Sequence, residues 1–266
     1  MSFRLAAQEW MLEGETLEEK FTFAQDVGFD GIELGARGGG IFEGRAEELR
    51  AARAAGVVMP SAVVLPTSFL GHFETERREA GIAELEGFLR TLPDAGAAGI
   101  VCPNSFGVFS DRLPPFEPPR PAVESRAALL DALTRVAATA EESGTSVYLE
   151  PLNRYEDYLV HTLADAVSIV DELDSPGVRV VADTFHMSIE EDDIGAAIRA
   201  AGHRIAHVQL GDSNRLEPGQ GHYDWGETLS ALRDIDYAGW LAVECGLSGA
   251  PREVLPRVAQ LLGGRR

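Results

Sequence analysis

SVYLEPLNRYE, residues Ser146 to Glu156, drives an apolar strand straight into a carboxylate, Glu150, and then turns at once. Three later segments repeat that design: VRVVAD ends at Asp183, IAHVQ at Gln209 and WLAVE at Glu244. The intervals of 33, 26 and 35 residues each suit one strand, one helix and two short loops, the βα repeat of a parallel sheet. If these strands are parallel neighbours, all four oxygen-bearing side chains open at the same rim, which is a metal site in outline.

Toward the N-terminus the same alternation continues more faintly. Phe3 to Ala7 reads as a first strand, and Thr16 to Glu19 has the capping-box spacing that opens a helix to about Val27. GIELG from Gly31 is a second strand, Ala46 to Ala55 a second helix, and VVMPSAVVL carries a third strand with Pro60 at its entrance. Ile82, Leu85, Leu89 and Leu92 recur at helical spacing, and GIVCPN is the fourth strand. The stretch PNSFGVFSDRLPPFEPPRP, about 103–121, is too rich in Pro and turn residues for helix or central strand and reads as a long loop on the rim that carries Glu150. A helix follows with Leu129, Leu133 and Val136 on one face.

Toward the C-terminus, Thr162 to Asp165 has the form of another capping box, with Leu163, Ala166, Val170 and Leu173 inward. A sixth helix is expected at about Asp193 to Ala201, a seventh from Asp224, and Val254, Leu255 and Val258 mark the last. Eight strands alternating with eight helices, in 266 residues, predict an α/β chain folded as one (β/α)8 TIM barrel domain over residues 1–266. A doubly wound open sheet is the alternative. Closure is favoured because only a ring brings strands five to eight to one axial site.

Composition narrows the function. A formal charge of −20 with 45% hydrophobic residues describes an acidic globular protein that repels nucleic acid and anionic membrane. Lys20 is the only lysine among 23 basic residues, and the arginines are scattered, so no basic stripe exists to follow a phosphate backbone. Cys102 and Cys245 sit in apolar runs without metal-ligand spacing and read as reduced core thiols. With neither a signal-type N-terminus nor a spanning apolar run, the expected compartment is cytoplasmic.

A single acid at a strand end more often caps a helix or pairs with a base than does chemistry; four in consecutive units carry the weight together. Three converging carboxylates would hold a proton among them unless a divalent ion relieved the repulsion. Glu150, Asp183, Gln209 through its amide oxygen, and Glu244 form an all-oxygen set that suits Mn²⁺ or Mg²⁺ better than Zn²⁺, with Co²⁺ able to substitute. His186, three residues after Asp183, and Arg215, six after Gln209, can reach the oxygens of a bound ligand. They can also serve structure, His186 as a core histidine and Arg215 as a loop brace to Asp212 or Glu217. Glu156 either orients Glu150 or pairs with Arg154. His207 shares a strand face with Gln209, in support of the site or in barrel packing.

The segments EPLNRYE, ADTFHMSIEE, GDSNRLEPGQGHYDW and AVEC resemble the sugar isomerase and epimerase branch of the xylose-isomerase-like barrels, in particular the ketose 3-epimerases related to D-tagatose 3-epimerase and the keto-sugar-acid epimerases. The resemblance is dense from Val147 to Gly246 and architectural before that. It implies that Glu150 and Glu244 are both metal ligands and the acid/base pair, that Asp183 and Gln209 complete the metal site, and that His186, Arg215 and Glu156 hold substrate or support the glutamates. The epimerases usually have histidine where this chain has Gln209, and related hydroxypyruvate isomerases resemble it in having glutamine there. His161 is a second departure, since relatives commonly have asparagine. Relatives often form dimers, so a homodimer acting on a small sugar or keto-sugar acid is the corresponding expectation.

The chemistry that fits is deprotonation of a carbon next to a carbonyl, with a metal stabilising the enediolate and the two glutamates exchanging the proton. A hydroxypyruvate-type isomerase, and a dehydratase of the inosose or dehydroshikimate type, remain open on the same residues. The apurinic-site endonucleases of this superfamily fit badly at −20 charge with six histidines. A non-catalytic sugar-binding barrel is not excluded by fold alone.

Overall fold

The computed structural model describes residues 3–263. Its eight strands are β1 (Arg4–Gln8), β2 (Gly31–Arg37), β3 (Ser61–Leu65), β4 (Gly99–Pro103), β5 (Ser146–Glu150), β6 (Val178–Asp183), β7 (Ile205–Leu210) and β8 (Trp240–Val243). Every neighbouring pair is parallel, and β1 pairs with β8 from Arg4↔Trp240 to Ala7↔Val243, so the sheet closes into a barrel. The helices are α1 (Leu17–Asp26), α2 (Ala46–Ala54), α3 (Thr75–Ala95), α4 (Ala122–Ser143), α5 (Leu163–Leu173), α6 (Thr184–Glu190), α7 (Ile194–Ala201), α8 (Trp225–Asp234) and α9 (Pro251–Leu261).

The local signals act as the sequence suggests. Thr16 and Glu19 exchange both bonds of a capping box at the start of α1, as Thr162 and Asp165 do for α5. Gly144 at φ 66° lets the chain leave α4 through the left-handed region that a side chain resists. Two expectations change. Among the described residues there are nine α-helices rather than eight, because α6 follows β6 directly: the Asp183 carboxylate accepts from the N–H groups of Phe185 and His186 and caps it. His186 therefore sits on this short helix. Strand β8 stops at Val243, with Glu244 just beyond it.

Strands are buried on both faces, outward against the helices and inward against the lumen. The lower lumen is filled by Val101, Tyr148 and Val181, with the Tyr148 ring stacked on the His207 imidazole at 5.5 Å. By the period of two, the residues two places further along β5, β6 and β7 are Glu150, Asp183 and Gln209, so the apolar plug hands over to polar groups at the C-terminal mouth. The segment between β4 and α4 is irregular but packed. Its Phe109 meets Phe73 and Tyr158, the Ser110 hydroxyl donates to the Arg154 carbonyl at 2.6 Å, and the Gly107 N–H donates to the Glu156 carbonyl at 2.9 Å. Among the described residues no helix is long and apolar enough to cross a membrane.

Candidate active site

Glu150, Asp183 and Gln209 are buried at the C-terminal mouth, Glu244 is half-buried with its Oε2 shielded from solvent, and oxygen or nitrogen atoms of Glu150, Asp183 and His186 lie within 4.8 Å of one another. Burial first, then the charges of Glu244 and Asp183, push the Glu150 carboxyl well above the usual carboxylate range. Glu244 is raised to about 8, by burial and then by Asp183 and Glu33, and Asp183 to about 6, chiefly by burial. Carboxylates crowded in this way take either protons or a cation. Two buried oxygens, Gln209 Oε1 and Glu244 Oε2, have no hydrogen-bond partner. Hard oxygen donors left open beside crowded carboxylates fit a divalent cation.

His186 is close enough to be taken for a ligand, but its hydrogen bonds argue otherwise. Its Nδ1 accepts from the Asn153 backbone N–H at 3.0 Å, so in the neutral ring Nε2 carries the proton. Burial lowers the His186 pKa to about 4, which favours that neutral ring. The protonated Nε2 faces Glu150 Oε1 at 3.7 Å and has no lone pair for a metal, while it can donate to a substrate oxygen.

Arg215 and Glu156 pair with each other rather than with the partners the sequence offered. Arg215 Nη1 lies 2.6 Å from Glu156 Oε1, and its guanidinium covers the Phe185 ring at 4.6 Å. Arg154 pairs with Glu190 instead. Asp212 is fully buried and accepts from the Trp225 indole N–H and from the N–H groups of Ser213, Gly219 and Tyr223, which shapes the loop that carries Arg215. His161 Nδ1 bonds the Leu152 carbonyl, away from the carboxylates.

The sequence reading missed Glu33. It lies inside β2 with no exposed surface and is bonded to Ser61 Oγ and His207 Nε2, each at 2.7 Å, and to Gln209 Nε2 at 2.9 Å. The available signal was a lone acid in GIELG, a strand otherwise apolar or glycine. His207 belongs to this network. A cavity of about 590 Å³ opens beside Glu33, Glu244 and Arg215 and extends to Trp10, Arg37 and Leu65. A larger cleft, about 860 Å³, lies at the other end of the barrel by Arg4 and Trp240, remote from the carboxylates.

The family model described as xylose isomerase-like TIM barrel matches residues 21–262. The 3-dehydro-D-guloside 4-epimerase of Escherichia coli (strain K12) is 36% identical over 231 residues, which are 86% of this chain and 87% of that protein. A D-psicose 3-epimerase of Enterocloster bolteae is 45% identical over 119 residues, 45% of this chain and 40% of that one. The apo crystal structure of the 3-keto-D-glucoside 4-epimerase from E. coli superposes with a TM-score of 0.92 at 32% identity, covering 98% of this chain and 99% of the other.

Proposed function

The chain belongs to the xylose isomerase-like TIM barrel family, and on that footing we propose that it is an epimerase that inverts the hydroxyl-bearing carbon next to the ketone of a keto-sugar. The observation that carries this reading is the crowding of the Glu150, Asp183 and Glu244 carboxyls at the mouth, where their charges raise one another's proton affinity, with unpartnered buried oxygens on Gln209 and Glu244. The names of the relatives agree with it in chemistry. A 3-dehydro sugar inverted at C4 and a 2-ketose inverted at C3 both lose and regain a proton beside a carbonyl. Because the likeness to the 4-epimerase spans most of both chains, a 3-keto-glycoside is the first substrate class to try, ahead of a free ketose.

Glu150, Asp183, Gln209 and Glu244 are the residues that would hold a divalent cation, Mn²⁺ or Mg²⁺. Such an ion supplies Lewis acidity to the ketone and an adjacent hydroxyl, which makes the neighbouring C–H more acidic. Glu150 and Glu244 approach from strands on different sides of the mouth. One takes the proton from one face of the sugar carbon, and the other returns a proton to the opposite face. In the cation-free site, burial and the neighbouring carboxylates raise the proton affinity of both. His186 Nε2–H and the Arg215 guanidinium donate to substrate oxygens and fix which carbon faces the glutamates, and Glu156 holds Arg215 in place. The direct test is Glu150→Gln and Glu244→Gln. Each should abolish turnover while the melting temperature stays near that of the parent; near-parental rates in either variant would refute the assignment.

A further inference from the structure

We infer that Glu33, which nothing in the reaction above uses, is a positioning residue that orients the Gln209 amide so that its oxygen is presented to a cation. The inference rests on the metal reading of the site and extends it to a residue on the opposite side of the barrel.

An ionised carboxylate only accepts, whereas an amide has one accepting end and one donating end. Glu33 is wholly buried and surrounded by donors: Ser61 Oγ and His207 Nε2 on Oε2, and Gln209 Nε2 on Oε1, with Gln8 Nε2 more distant at 3.5 Å. This set of donors satisfies a negative charge without a proton. Glu33 therefore fixes the sense of the Gln209 amide: nitrogen toward Glu33, oxygen away. That oxygen is the one left buried without a partner.

A glutamine without such a tether could turn its amide over. It would then present an N–H group among the carboxylates of Glu150, Asp183 and Glu244, bonding to them and leaving no donor atom for a metal. Asparagine and glutamine ligands depend on this distinction in a way that carboxylates, with two equivalent oxygens, do not. In this view Glu33 tunes a neutral ligand by geometry. Its carboxylate lies on β2 and the amide on β7, so the bond also spans the lumen and links the two sides of the barrel mouth.

Mn²⁺ binding, measured on the purified chain by electron paramagnetic resonance of the free ion and by titration calorimetry, tests the inference without relying on turnover. Glu33→Gln should weaken Mn²⁺ binding by about 10- to 100-fold, the usual cost of losing a partner of a metal ligand. Gln209→Glu should also weaken it, by setting two carboxylates against each other. The exchanged pair, Glu33→Gln with Gln209→Glu, restores one donor facing one acceptor and returns an oxygen to the cation, so it should bind within a few-fold of the parent. A role confined to stability would not produce that recovery. If Glu33→Gln fails to fold, the exchanged pair still decides, since its recovery or failure is read against Gln209→Glu. Parent protein that takes up no Mn²⁺ would refute the metal reading itself. Parent protein that binds, with Glu33→Gln binding equally or with no recovery in the exchanged pair, would refute the role of Glu33 alone.

Discussion

The Asn153 backbone N–H donates to His186 Nδ1 at 3.0 Å, and that bond determines what the other ring nitrogen can do. With Nδ1 accepting, Nε2 is a donor facing Glu150, suited to a sugar oxygen and unsuited to a cation. His186→Ala should therefore leave Mn²⁺ affinity within a few-fold of the parent while lowering kcat/KM by about 10- to 100-fold, the worth of one strong buried hydrogen bond. Calorimetry alongside steady-state rates separates the two, and a collapse of Mn²⁺ binding would make His186 a ligand after all.

The Arg215 guanidinium is fixed on two sides, by Glu156 Oε1 at 2.6 Å and by the Phe185 ring beneath it. Lysine keeps the charge but loses the planar fork and the stacking surface. Arg215→Lys should lower kcat/KM by roughly tenfold or more, mostly through KM if the group binds reactant and transition state alike. An Arg215→Lys enzyme with parental constants would remove the residue from substrate binding.

Asp212 accepts from four N–H groups at the base of the β7 loop. Asp212→Ala leaves those donors without their acceptor, one of them the buried indole of Trp225, and should cost about 3 kcal/mol or more of folding stability. Denaturant unfolding measures this, and a change below about 1 kcal/mol would mean that water replaces the carboxylate.

The metal-free protein should become less stable as pH rises. Folded Glu244 keeps its proton to about 8 against 4.5 for an ordinary glutamate, and Asp183 to about 6 against 3.8 for an ordinary aspartate. Between those limits the folded chain binds more protons than the unfolded one, so this stabilisation is complete below about pH 4 and is lost by about pH 8. Glu33 and Glu9, whose values are lowered, have the opposite sign and have delivered their share by about pH 5. His186, lowered from 6.5 to about 4, also adds stability until about pH 7, over a narrower span than that in which Glu244 and Asp183 lose it. Chelated protein should therefore melt at lower temperature at pH 8 than at pH 5, and added Mn²⁺ should abolish most of the difference. Melting temperatures that stay level or climb with pH in the chelated protein would contradict the crowding of carboxylates on which the site depends.

What the sequence made legible follows from period and position. Glu150, Asp183 and Gln209 each close an apolar run, and parallel strands put run ends on one rim, so the barrel and its mouth could be read without coordinates. Helix α6 was hidden because Asp183 reads as a strand-end ligand, and its second use as a cap shows only in the backbone N–H groups it accepts. Glu33 was hidden for a related reason. An acid within a strand looks like a solvent-facing residue, and only closure of the barrel turns that face into a lumen. The pairing of Arg215 with Glu156 joins loops after β7 and β5 across 59 residues, and nothing in local spacing selects it over Asp212 or Glu217.

The most direct test of the central claim is turnover of 3-keto-glycosides and free ketoses in deuterated water with Mn²⁺ or with chelator, followed by NMR and mass spectrometry from the earliest turnover. Two glutamates on opposite faces predict a Mn²⁺-dependent new stereoisomer carrying solvent deuterium at the carbon beside the ketone, while unreacted substrate stays largely unlabelled, because the proton taken by one glutamate is not the one returned by the other. A new stereoisomer formed without deuterium, or loss of water in place of inversion, would contradict the account.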